Sequence, residues 1–190
     1  MVKHGGLSDD ALLGLPLFAD TPPADVRELR RLSEGMAFRP GQVVFEQGEA
    51  MKAEALLLIG GRLRVSVESG GVRRELADVV PGEFVGEAGL FTGGIGRSAR
   101  VVAVEPSAGL RITRDLLVTH AGHPALVALE QALIALMVKR IRETHATLEQ
   151  VLSEAQSGIR PAQDRTRVSL PHEPRQSLAQ RLARWFQGRA

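Results

Sequence analysis

The chain has 190 residues, 44% hydrophobic and 24% charged, which suits one domain with an appendage and a sizeable core. It has no cysteine, so disulfides, thiolate nucleophiles and zinc–cysteine centres are excluded, and with no tyrosine and one tryptophan aliphatic side chains must fill the interior. Its net charge of +2 is uneven: residues 157–190 hold seven arginines against Asp164 and Glu173, a local +5, which leaves −3 for the rest. The basic pI therefore belongs to the C-terminal stretch and argues against a folded body that binds nucleic acid.

The N-terminus lacks a long apolar run, and Lys139 and Arg140 interrupt the best apolar stretch, so neither a secretory signal nor a membrane span is expected, and a cytoplasmic location is. Ser8 before "DDALLG" predicts a short capped helix ended by Gly14. Pro22 and Pro23 preset a second helix, with Val26, Leu29 and Leu32 at helical spacing and Gly35 as its stop. From Met36 the texture changes. A Pro-Gly turn precedes a short Val-Val-Phe strand, and "ALLLIGGRLRVSVESGGVRRELADVVPGEF" reads as strands separated by Gly-Gly turns. Leu63, Val65 and Val67 alternate with Arg62, Arg64 and Ser66, the pattern of a half-buried strand. "GRSARVVAVEPSAGLRITRD" adds two more strands. Many short strands with regular turns predict a mainly β fold with flanking helices, a barrel or jelly roll.

Helical periodicity returns in "RDLLVTHAGHP", and Pro124 opens a long helix. Ile134, Met137, Ile141, Thr144, Leu148, Val151 and Ala155 fall on a/d spacing. Leu126, Leu129, Leu133 and Leu136 form a second stripe on an adjoining face. One stripe can pack on the barrel while the other meets a partner helix in a homodimer; alternatively both wrap the domain's own core. The expected organisation is a domain over 1–156 and a basic linker over 157–190. That linker ends in a stretch with Leu178, Leu182, Trp185 and Phe186 on one helical side, suited to docking on a protein partner or an anionic membrane, or else to a frayed end.

The segment "PGEFVGEAGLFTGGIGRSARV", residues 81–101, carries the chemistry. Gly86 permits close backbone approach, and the helix that can follow it presents free amides to an anion. Arg97 is a permanent cation whose fork fits phosphate oxygens, and Ser98 adds a hydroxyl and an amide. Glu87 cannot serve the phosphate; its carboxylate suits a hydroxyl such as a ribose 2′-OH. One anion plus one vicinal hydroxyl describes a sugar phosphate. The alternative is an ordinary Glu87–Arg97 salt bridge with glycines serving turns.

"GEFVGEAGLFTGGIGRSARV" closely resembles the phosphate-binding cassette of cyclic nucleotide-binding domains, most of all that of the catabolite activator (CRP/FNR-like) branch. The interval from Gly86-Glu87 to Arg97-Ser98 matches without a gap, and the resemblance extends over roughly residues 15–156. It implies a double-stranded β-helix (jelly-roll) barrel followed by a long C-terminal helix. It places Gly86, Glu87 and Ala88 along the sugar-phosphate pocket, Glu87 on the ribose 2′-OH, Arg97 and Ser98 on the cyclic phosphate, and Thr144 on the base. Val85 and Leu76 become apolar walls. The family usually has an aromatic near "ALLLI" and a shorter loop than "GEAMKAEA", and His145 stands where it carries a serine. The winged helix-turn-helix of the catabolite activators has no counterpart here.

The function so implied is a stand-alone sensor of cyclic AMP, or less readily cyclic GMP, that signals to a protein partner through its long helix and basic C-terminal stretch. A DNA-binding transcription regulator rests only on the arginines, and a nucleotide-independent scaffold is the remaining alternative. No catalytic residue and no metal site is expected, because the five histidines (4, 120, 123, 145, 172) lie outside the strands, with His120 and His123 read as surface residues.

Overall fold

The computed structural model describes residues 8–50, 52–92 and 96–158, with side chains through 153. The expected basic linker, apart from its first two residues, and its amphipathic end lie outside the described residues. The chain divides into two compact units, Met1–His145 and Ala146–Ala190.

Three short helical pieces open the first unit: α1 (Asp9–Leu13), a 3-10 turn (Pro16–Phe18) and α2 (Pro23–Leu32). Ser8 Oγ accepts the Ala11 amide at 3.1 Å and Gly14 closes α1, as its sequence predicts. Pro23 stands at the first turn of α2, where no backbone amide is needed. Val26 and Leu29 point fully inward, while Leu32 is exposed. The helix stops earlier than Gly35 suggests. Ser33 is already extended (φ −102°, ψ 150°), and Gly35 lies inside strand β1 (Glu34–Phe38), opposite Leu110. Strand pairing, reinforced by an ion pair from Glu34 to Arg111 at 2.8 Å, ends the helix two residues before the glycine.

The remaining strands are β2 (Val43–Phe45), β3 (Glu54–Gly60), β4 (Leu63–Ser69), β5 (Val72–Val79), β6 (Phe84–Val85), β7 (Arg100–Ala103) and β8 (Ser107–Thr113). Among the described residues they form two four-stranded antiparallel sheets, ordered β1-β8-β3-β6 and β2-β7-β4-β5, the two-sheet arrangement of a jelly roll. The helices α3 (Ala88–Phe91), α4 (Arg114–Thr119) and α5 (Pro124–Gly158) complete the description.

Two apolar clusters share β3. Its Leu56 and Leu58 face the barrel interior with Phe38, Leu63, Val85 and Val101. Its Ala55, Leu57 and Ile59 face a layer of helices that includes Leu12, Phe18, Leu29 and Leu126. A strand buried on both faces reads as a continuous apolar run, which is why "ALLLI" shows no alternation. In β4 the predicted alternation holds only at its start. The register with β5 shifts between Val65 and Ser66, where β5 carries Leu76 as an extra residue. Ser66 is 6% exposed and lines a polar recess together with Glu68.

The two stripes of α5 separate as expected. Leu126, Leu129 and Leu133 are at most 1% exposed, and Leu136 packs against the same cluster. Each fully buried leucine contributes about 1.5–3 kcal/mol. On the other stripe Ile134 and Ile141 are exposed in the first unit. In the second unit Leu148, Val151 and Leu152 are exposed, and Ala155 lies outside the described side chains. Among the described residues no helix is long and apolar enough to cross a membrane.

Candidate functional site

β6 delivers Val85 into the barrel cluster, 5% exposed, and the chain then turns sharply at Gly86 with φ +78°. A Cβ at Gly86 would stand 2.7 Å from both Arg97 Nη1 and Phe45 Cε2. Glycine is required twice over, for the left-handed backbone and for the approach of Arg97. Glu87 follows, only 5% exposed, and α3 begins at Ala88. The Leu90 carbonyl accepts a 2.6 Å hydrogen bond from Arg114 Nε, which ties this loop to α4. Gly93, Gly94 and Ile95 lie outside the described residues.

Arg97 re-enters the body clamped by its backbone. Its amide donates to the Glu49 carbonyl and its carbonyl accepts the Gly48 amide, both at 2.8 Å. The buried guanidinium lies 3.9 Å from the Phe45 ring centroid. Nη1 donates to the carbonyls of Gly86 (3.0 Å) and Glu54 (3.3 Å), and Nη2 is 3.6 Å from Glu54 Oε1. Burial pushes the Arg97 pKa down, against the opposing fields of Glu54, Glu49 and Glu87. The fold thus holds a cation it solvates incompletely.

Glu87 and Arg97 do not form the salt bridge that the sequence left open. Glu87 is instead paired with Arg140 of α5, whose side chain is half exposed. Arg97 is paired with Glu54, and Glu54 also binds Arg111, which Glu34 holds from its other side. The two charged groups singled out from the sequence each have a separate internal partner.

Beside Arg97 opens a cavity of about 250 Å³. Met36, Phe38, Val44 and Phe45 make it apolar on one side; Glu54 and Arg97 stand on the other. Of the residues expected at the site, Arg97 lines it. Gly86 and Glu87 adjoin Arg97, the former through its carbonyl. Ala88 and Ser98 are exposed at the two ends of the loop. Thr144 is exposed on α5, its hydroxyl donating to the Arg140 carbonyl at 2.8 Å, one turn from the Glu87 contact. Leu76 is 60% exposed on β5 and does not line this cavity.

The sequence reading missed Glu54 and Arg140. Glu54 had a faint signal, an acid at the first position of an otherwise apolar strand. Arg140 precedes Thr144 by one helical turn, which puts both on one face. A third departure lies elsewhere: His123 is not a surface residue, with only 15% of its side chain exposed.

The jelly roll thus sets the buried guanidinium of Arg97 on one wall of a cavity whose opposite wall is apolar, with the left-handed Gly86 touching that guanidinium through its carbonyl. Residues 36–119 match the family model described as a cyclic nucleotide-binding domain. It is 33% identical over 137 residues to the cyclic AMP receptor protein of Thermus thermophilus, covering 72% of this chain and 62% of that relative's length. The crystal structure of the Thermus thermophilus catabolite activator protein superposes with a TM-score of 0.62 at 31% identity, again over 72% of this chain and 62% of that one. A cAMP-binding acyltransferase from Mycobacterium smegmatis matches at 29% identity with a TM-score of 0.52, over 64% of this chain and 39% of its own.

Proposed function

We propose that this chain is a cyclic nucleotide sensor with cyclic AMP as its ligand in preference to cyclic GMP, acting as a homodimer that signals to a protein partner. The reading rests on one observation above all. The buried Arg97 faces a cavity that is apolar on one side only, Glu87 stands apart from it, and each is held by an internal partner that a ligand can replace. A cyclic phosphate supplies Arg97 with the oxygens that the Glu54 and Gly86 carbonyls now provide. A ribose hydroxyl donates to Glu87, Ser98 lies near the phosphate, and the base runs toward Thr144 with Val85 as a wall. The name of the Thermus relative supports cyclic AMP.

Ligand sites usually enclose about 300–1,000 Å³. The present cavity falls short of that range, so nucleotide entry displaces the Glu87–Arg140 contact. Through Arg140 that movement reaches α5, whose exposed Ile134 and Ile141 suit a partner helix. The coupling is a population shift, with the ligand preferring one arrangement of the Glu87–Arg140 pair over the other. Residues 1–156 then act as receptor and the basic stretch beyond as effector.

Calorimetry on nucleotide-stripped protein with cyclic AMP and cyclic GMP is the test. Saturable heat with cyclic AMP, weaker with cyclic GMP, is expected; no heat with either overturns the reading. A transcription regulator is the second reading, favoured by the kinship with the Thermus protein. Cyclic-AMP-dependent, sequence-specific and salt-sensitive DNA binding would establish it instead.

A further inference from the structure

The α2 helix and the turn before α5 bring together two carboxylates and an imidazole from distant parts of the sequence. Asp25 and Glu28, at i and i+3, share one face of α2. His123 sits immediately before Pro124, and its carbonyl accepts the amides of Leu126 (2.9 Å) and Val127 (3.0 Å), so the start of α5 fixes its backbone. One ligand atom from each of the three residues lies within 4.8 Å of the others. His123 Nε2 is 3.5 Å from Glu28 Oε2, yet neither ring nitrogen makes a hydrogen bond, and both are shielded from solvent.

A covered imidazole with two unsatisfied nitrogens is costly unless something binds it. We propose that Asp25, Glu28 and His123 form a binding site for a divalent transition ion of the zinc type. Ligand atoms around a tetrahedral ion with bonds of about 2.0–2.1 Å are about 3.3 Å apart, close to the His123–Glu28 separation. The side chain of Glu28 is 53% exposed and can swing inward, and its open side leaves the fourth position to water. An imidazole donor favours zinc, nickel or copper over magnesium or calcium. The bound ion would clasp α2 to the first turn of α5, separately from the nucleotide cavity.

The experiment uses the full chain after chelator treatment, titrated with Zn²⁺ and Mg²⁺ by calorimetry and with Co²⁺ by visible absorbance. One equivalent of Zn²⁺, tetrahedral Co²⁺ bands and no Mg²⁺ binding are expected. His123→Gln, Asp25→Asn and Glu28→Gln should each weaken Zn²⁺ at least tenfold, and cyclic AMP heats should not change in the last two. Zn²⁺ at a hundredfold excess over the parent's Kd should raise Tm by about 5–10 °C in the parent and by no more than about half of that in the variants. No Zn²⁺ heat in the parent, equal affinity for Mg²⁺, or undiminished Zn²⁺ binding in the variants overturns the site. If His123→Gln does not fold, the two carboxylate variants on the accessible side decide alone.

Discussion

Replacing Arg97 with methionine separates binding from folding. The guanidinium has two carbonyl contacts and a 3.6 Å ion pair, but burial lowers its pKa, so part of what these contacts contribute offsets lost hydration. Removing it strands little. Glu54 keeps Arg111, the Gly86 carbonyl keeps the Gly89 amide at 3.0 Å, and methionine can still pack on Phe45. Stability in urea should therefore change by no more than about 1 kcal/mol. Binding should suffer far more. A charge-assisted bond to phosphate is worth about 1.5–3 kcal/mol, so losing the net equivalent of one raises Kd roughly 10- to 150-fold. Urea melts and calorimetry with cyclic AMP measure both quantities on the same preparation. An unchanged Kd refutes the phosphate role. A stability loss above about 3 kcal/mol makes Arg97 a structural cation and refutes the account of its burial.

Three further outcomes follow from the same geometry. Glu87→Gln and Arg140→Gln should each cost about 1–2 kcal/mol, with a coupling of at least about 1 kcal/mol in the double variant, because Glu87 is buried although Arg140 is half exposed; additive urea midpoints would remove the contact. Gly86→Ala should cost about 1–3 kcal/mol and weaken cyclic AMP, since both φ and space forbid the Cβ. Gly82→Ala, at φ +91° with its nearest neighbour 3.9 Å away, should cost less and spare binding; equal effects would show that Arg97 yields freely. Ile141→Asp should shift the protein from dimer to monomer in sedimentation, and an unaltered mass would place the interface elsewhere.

Local chemistry was the legible part. Ser8, Pro23 and Gly14 act within a turn of their own positions, so the first helices could be read directly. Short strands between glycine turns announced the jelly roll, and the resemblance of the segment around Gly86 and Arg97 to a cyclic nucleotide cassette announced the family match. What escaped depends on pairing between distant segments. Ser66 is covered in a recess shared with Gln47 and Arg100 of other segments, and Gly35 was drawn into a strand by β8. Arg140 reaches Glu87 across 53 residues and His123 reaches Glu28 across a still longer span, contacts for which neither helix carries a local mark.

β3 is a party wall. Leu56 borders the cavity from one side, and Leu57, its immediate neighbour, is lodged beneath the helices on the other. Close-packed interiors yield little on compression, so any guest that presses on the first must jostle the second. News of occupancy therefore has a route to the far side of the domain through a single peptide unit, even with the loop around Gly86 held still.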